Sequence, residues 1–394
     1  MELTVEEKEM LEGKQGRAVQ KAMEILVTLG EIYNANKMVK VRSVQISGVS
    51  YANLGSPGLD FLRKLSEDGK VRVLTTLNPA GMDLEEWEKL GIPKDFAEKQ
   101  LEVIDAFKAM GIITTATCTP YLVGNVPHYG DHVAWAESSA VAFANSVIGA
   151  RTNREGGPSA LAAALTGRTP MYGLHLEENR VPEVTVNFEG KLRNIFEFGV
   201  LGKAIAEKTK GKIVYIRGIE KASVDELKSF GASLATYAGI GIYHMENITP
   251  EAIKYEPPKN NLYLSQDDIN SQLDSLRDEN VEEIDFVTIG CPHASLEEII
   301  KIADMLQGKK VTKEFWITTS RPIKTIADKV GLTKIIEEAG AKIAADTCCV
   351  VAPIKGRFKA MATNSAKACY YAKARNNFKV RIMSFEETVM EALK

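Results

Sequence analysis

The chain is poor in the features that would place it outside the cell, in a membrane or on nucleic acid. Its 394 residues hold five cysteines, too few and too odd a number for a disulfide framework, so free thiols in a reducing compartment are expected. Lysine and arginine (49) do not outnumber aspartate and glutamate (52), and a net charge of −3 supplies no basic field for a phosphate backbone. No apolar run reaches the roughly 20 residues needed to span a bilayer. The opening stretch MELTVEEKEMLEGKQG is charged and helical in pattern rather than signal-like. There is no repeat of short period, no low-complexity tract and no C-x-x-C pair, and the last absence argues against a structural zinc site. These exclusions predict a cytoplasmic protein with neither nucleic acid nor membrane as partner.

What remains is an ordinary globular composition, 45% hydrophobic and 26% charged, in a rhythm of β–loop–α. Residues 3–29 read as one or two helices ended by Gly30. Strands follow at VRSVQIS, VRVLTTL and IITTAT, with helices at GLDFLRKLSEDG and residues 95–110. The middle is rich in small residues, with a helix from Ala136 to Ile148 and a charged, glycine-rich loop Arg151–Gly157. The rhythm returns with strands KIVYIRG, IDFVTIG, EFWITTS and AKIAAD and their helices, among them LEEIIKIADML behind a Ser295/Glu298 capping box and the single run IKTIADKVGLTKIIEEAG. The fold class is α/β, with parallel sheets flanked by helices. Two lobes, 1–205 and 206–394, are expected to face one cleft.

Three cysteines share one local context. Cys118, Cys291 and Cys348 each close an apolar, strand-like run. In an open α/β sheet, ligands bind beyond the carboxyl ends of the strands. Three thiolates gathered there can hold an iron–sulfur cluster by three irons and leave one iron open as a Lewis acid. Cys349, next to Cys348, competes for the third position. Cys369, inside the helical stretch NSAKACYYAKA, reads as a buried hydrophobe. The other strand ends bring Gly48-Val49-Ser50, Asn78-Pro79, His293 and Thr319-Ser320-Arg321. Arg151, Arg154, Arg168 and Arg321 can each grip a carboxylate or phosphate, or lie on the surface. Lys367 reads either as a surface lysine or as an anion ligand. His128 and His132 are spaced like some zinc ligands, but no third ligand is apparent.

The stretches ISGVSYANLG, TTLNPAGMD, TATCTPYLVGNVPHYGDHVAWAESSAVAFANSVIGARTNREGGPSALAAALTGRTP, IGCPH and ATNSAKACYYA resemble the large, catalytic subunit of the aconitase X family over nearly the whole chain. The resemblance implies a fold like aconitase domains one to three, closed around a central cluster cleft, with the swivelling domain on a separate small subunit. It implies a [4Fe–4S] cluster on Cys118, Cys291 and Cys348. It implies substrate contacts from Gly48, Val49, Ser50, Asn78, Pro79, Ser138, Ser139 and Lys367. The activity implied, from archaeal members, is dehydration of (R)-5-phosphomevalonate to trans-anhydromevalonate 5-phosphate, a step toward isoprenoids, with the catalytic base supplied by the small subunit. Two alternatives stay open: dehydration of cis-3-hydroxy-L-proline, and a non-catalytic iron–sulfur protein.

Overall fold

A computed structural model describes residues 1–279, 281 and 283–394. Three parallel sheets carry the chain. The first orders its strands Leu74–Leu77, Ser43–Ile46, Ala134–Trp135. The second orders them His244–Met245, Val214–Arg217, Val184–Glu189, Asn261–Ser265. The third orders them Lys342–Ala345, Glu314–Thr319, Phe286–Ile289, Ala360–Thr363, Lys379–Ile382. A small antiparallel pair, Met38–Lys40 with Arg168–Pro170, closes the first region. Among the described residues no helix is long and apolar enough to cross a membrane.

The strand orders locate the site. In the first sheet the chain steps from Ser43–Ile46 to Leu74–Leu77 on one side and later adds Ala134–Trp135 on the other. In the third sheet it steps outward from Phe286–Ile289 twice, then returns to lay Ala360–Thr363 on the opposite flank. Each reversal opens a crevice at the carboxyl ends of the two diverging strands, where α/β sheets bind ligands. The residues beyond those strands are Ser47 and Glu137 in the first sheet, and Cys291 and Lys367 in the third. The second sheet contributes no wall to the cavity they form. Its helices brace it from behind. Tyr237 donates its hydroxyl to the Ala366 carbonyl (2.9 Å), and Lys228 donates to the His293 carbonyl (3.2 Å).

Local chemistry explains most element ends. The Ser295/Glu298 capping box is present and opens helix Leu296–Leu306. Phe286–Ile289, central and buried throughout, is uniformly apolar but for Thr288, as a strand covered on both faces must be. Other expectations are corrected. The opening run is two helices, Val5–Leu11 and Arg17–Ile32, within the one or two expected, but the second does not stop at Gly30 because the helical backbone hydrogen bonds continue there. IITTAT makes only an isolated bridge, Ile113 to Thr76, because the Thr115 N–H turns back onto the Ile113 carbonyl (2.9 Å) and Ala116 takes φ +42°, which interrupts the ladder. The run from Ile323 is broken into Arg321–Lys329 and Leu332–Glu338 by Gly331, whose φ of +83° leaves the helical region. Strand Val184–Glu189 and helix Ile195–Thr209 arise where no element was expected, and residue 205 lies inside that helix.

The small-residue helix is also shorter than expected. It is α-helical over Ser138–Phe143, widens into a π turn at Ala144–Ile148, and ends on Gly149 at φ +77°. Helix Ala366–Tyr371 does the same, widening at Ala372–Asn376 and ending on Asn377 at φ +63°. Such wide turns recur at functional sites, and these two helices begin at the same cavity.

Candidate active site

A cavity of about 190 Å³ lies between the first and third sheets. Cys118, Cys291 and Cys348 all line it, and all three are free thiols. Cys349 does not line it and is 2% exposed, packed in the core. Cys369 is buried in its helix, also away from the cavity.

His293 ties the three cysteine loops together. Its backbone N–H donates to the Cys118 sulfur (3.2 Å). Its Nε2 lies 2.9 Å from the Thr347 carbonyl and its Nδ1 lies 2.9 Å from the Thr117 hydroxyl. A carbonyl only accepts, so Nε2 carries the proton and Nδ1 accepts from Thr117. Full burial lowers the imidazole to about 4, which keeps it neutral in this role. Lys228 in turn holds the His293 carbonyl and the Glu298 carboxylate (2.6 Å).

Glu137 and Lys367 come from the two crevices and meet in the cavity wall. Glu137 caps its helix by accepting from the Ala140 N–H (2.7 Å) and also accepts from the Ser139 hydroxyl (2.5 Å). Ser365 caps the other helix by accepting from the Ala368 N–H (3.1 Å). The two first turns then place Lys367 Nζ 2.6 Å from Glu137 Oε1 and 3.3 Å from Ser139 Oγ. Burial works against charge on both groups. The pairing prevails, holding Glu137 below the usual carboxylate range and Lys367 above the usual amine range.

The expected substrate residues are placed unevenly. Asn78, Pro79, Ser138 and Lys367 line the cavity. Ser139 stands one layer behind, on Glu137 and Lys367. Gly48, Val49 and Ser50 are not part of the lining, although Ser47 and Asn53 on either side are. Val49 is 1% exposed in the first-region core, and Ser50 Oγ sits 3.4 Å from the Val351 carbonyl in the Cys348 loop. Gly48 takes φ +76°, with open space where a side chain would stand. Of the candidate arginines, Arg151 pairs with Glu177, Arg168 with Glu6 and Glu7, and Arg321 with Asp83 and Asp346. His128 lies at the surface beside Asp131, while His132 meets His175 (2.9 Å between Nδ1 atoms).

Glu137, Asn53, Tyr371 and Arg375 line the cavity and were not anticipated. Glu137 did carry a signal: it is the only charged residue between His132 and Arg151, an acid set in a run of small and apolar residues. The others carried none.

The donor set suits a cluster held by three thiolates. Burial pushes all three thiols up, Cys291 to about 12, so as free groups they stay protonated. A coordinating iron strips such protons. The Cys118 sulfur also has a donor, the His293 backbone N–H (3.2 Å). Among the described residues no three His, Cys, Asp or Glu groups converge tightly enough for a single ion. A cluster spreads its thiolates over several irons and needs no such convergence. Nearby, the Asn78 amide oxygen is buried without a hydrogen-bond partner among the described residues, an acceptor left for a polar ligand.

Comparison with known proteins accounts for the whole chain. Residues 1–178 match the family description "Aconitase X first domain", 182–277 the second domain and 284–394 the third. A Methanocaldococcus jannaschii protein named phosphomevalonate dehydratase large subunit is 48% identical, covering 94% of this chain and 95% of its own. A Thermococcus kodakarensis protein of the same name is 44% identical over 100% of both. A Pseudomonas aeruginosa cis-3-hydroxy-L-proline dehydratase is 32% identical, and the match spans 92% of this chain but 65% of that protein. The crystal structure of aconitase X from Thermococcus kodakaraensis, holo-form, superposes with a TM-score of 0.92 at 44% identity over 100% of both chains.

Proposed function

The chain belongs to the aconitase X family, and from that membership we propose that it is the large subunit of a hydro-lyase that dehydrates (R)-5-phosphomevalonate to trans-anhydromevalonate 5-phosphate. The observation that carries the reading is the gathering of Cys118, Cys291 and Cys348 with the Glu137–Lys367 pair around one cavity. The relatives' designation as large subunits implies a partner small subunit. The hydroxyproline dehydratases are more distant.

In this reading Cys118, Cys291 and Cys348 hold a [4Fe–4S] cluster, which when bound supplies a Lewis-acidic iron for the departing hydroxyl. Cys348 is preferred over Cys349 because it alone of the two faces the cavity. Lys367 has three N–H donors and spends two on Glu137 and Ser139, so one is left to hold the substrate carboxylate. Ser138 and the unpaired Asn78 oxygen orient the hydroxylated carbon. Glu137, the only carboxylate lining the cavity among the described residues, is kept ionised and occupied by Lys367, Ser139 and Ala140. It is poorly placed to take the proton from the adjacent carbon, which agrees with a base supplied by the small subunit.

The test is an anaerobic assay of the chain co-purified with its small subunit, following (R)-5-phosphomevalonate with cis-3-hydroxy-L-proline in parallel. Turnover of phosphomevalonate is expected, and turnover of hydroxyproline alone would overturn the assignment. Iron and sulfide analysis should give about four of each per chain by the three-cysteine reading. Both should be lost in C118S, C291S and C348S and kept in C349S.

A further inference from the structure

Of the four candidate arginines, Arg151, Arg168 and Arg321 are paired with carboxylates and Arg154 is not, among the described residues. Arg154 is exposed, lines the cavity, and has neither an ion-pair nor a hydrogen-bond partner among the described residues. Arg375, half-buried in the wide turn Ala372–Asn376, lines the same cavity. Its partner is the Asn53 amide oxygen (2.7 Å), which takes one N–H and cancels no charge. The other charged groups of the lining are Glu137 and Lys367, which neutralise each other at 2.6 Å. The wall therefore carries two guanidinium charges in excess.

Their depth separates the charges by task. Glu137 and Lys367 are buried with Cys118 and Cys348, whereas Arg375 is half-buried and Arg154 exposed. A substrate lying in the cavity with its carboxylate on Lys367 directs its other end toward the arginines. A phosphate monoester carries about −1.5 to −2 charge near neutral pH, which matches two guanidinium groups. The planar fork of arginine pairs with two phosphate oxygens at once.

We propose that Arg154 and Arg375 form a phosphate clamp at the rim of the cavity, with Asn53 as the positioning residue that aims Arg375. The clamp rests on the phosphomevalonate reading and deepens it. It is what would make the site select a phosphorylated hydroxy acid over an unphosphorylated one. Arg154 comes from the glycine-rich loop of the first region and Arg375 from the end of the chain, so a ligand phosphate would also tie the two regions together.

The experiment uses the assembled, cluster-loaded enzyme and the variants R154Q, R375Q and N53A. Losing one charged hydrogen-bonding partner is worth about 1.5–3 kcal/mol, or roughly 10- to 100-fold. The expected result is a rise of about that size in KM for phosphomevalonate in R154Q and in R375Q, with kcat changed by less than about threefold. Competitive inhibition by inorganic phosphate should weaken by a similar factor, and N53A should show a smaller rise. Unchanged KM and unchanged phosphate inhibition in both arginine variants would overturn the clamp. If the wild-type enzyme does not turn over phosphomevalonate, the functional reading fails separately. The clamp is then decided by calorimetric titration with inorganic phosphate: binding lost in R154Q/R375Q upholds it, and no binding to the wild type overturns it.

Discussion

Arg180 and Lys367 are both buried cations paired with buried carboxylates, yet one is saturated and the other is not. Arg180 is 0% exposed and donates to both oxygens of Glu251 (2.9 and 3.0 Å). Its remaining N–H groups reach Asn145 Oδ1 (3.1 Å) and the carbonyls of Leu174, Asn145 and Ala150 (3.0, 3.2 and 3.1 Å). No donor is left over. Among the described residues Lys367 has Glu137 and Ser139 only, and it borders a cavity. Burial with every donor spent fixes a structure, here the π turn and the loop that follows it. Burial with one donor unspent prepares a ligand site, because only an incoming acceptor completes it.

The comparison can be broken at either pair. The largest expected effect is in R180M, which strands Glu251 as a buried, uncompensated charge and should cost about 3–5 kcal/mol in denaturant unfolding. The double variant R180M/E251L should recover much of that loss. Next comes K367M, where kcat/KM should fall about 100- to 1,000-fold, the usual cost of one preorganised donor. Its melting temperature should fall less than that of R180M, since Glu137 at a cavity wall can hydrate or take a proton. Equal melting losses in the two variants would dissolve the distinction.

The effect with the least consequence near neutral pH is the one in acid. Burial, with the charges of His132, Arg180 and Arg151 adding to it, lowers His175 to about 3, against an ordinary value near 6.5. The unfolded chain therefore takes up a proton between those pH values that the folded chain refuses. Stability is retained above pH 6.5 and lost as pH falls through that window, by about 1.4 kcal/mol per pH unit for one such group. H175Q should flatten the pH dependence of the denaturation midpoint by about one proton. An unchanged slope would place the acid sensitivity elsewhere.

Much of the fold was legible because its signals are local. Ser295 and Glu298 announce a helix start within four residues, and apolar β-branched runs announce covered strands. Strand Val184–Glu189 bears the same β-branched marks, whereas Ala360–Thr363 does not. Ala360–Thr363 is a buried strand of small residues that reads equally well as loop or helix. The same division runs through the site. Cys118, Cys291 and Cys348 advertise themselves by a shared position after strand-like runs. Cys348 and Cys349 are adjacent and differ only in which way the turn after Ala345 sends them, as the Val351 and Ala352 N–H bonds to the Cys348 carbonyl (3.1 Å each) illustrate.

By itself the sequence determined the parallel α/β class, the three thiols that follow strand-like runs and the supply of basic groups around them. These follow from side-chain period, capping and glycine placement, all short-range. The tertiary structure decided which charges cancel. Glu137 meets Lys367 across 230 residues, and Arg180 meets Glu251 across 71. Arg321 is consumed by Asp83 and Asp346, while Arg154 has no such partner among the described residues. A cation's role depends on the acceptors left within its reach, and those acceptors arrive only when the sheets have packed.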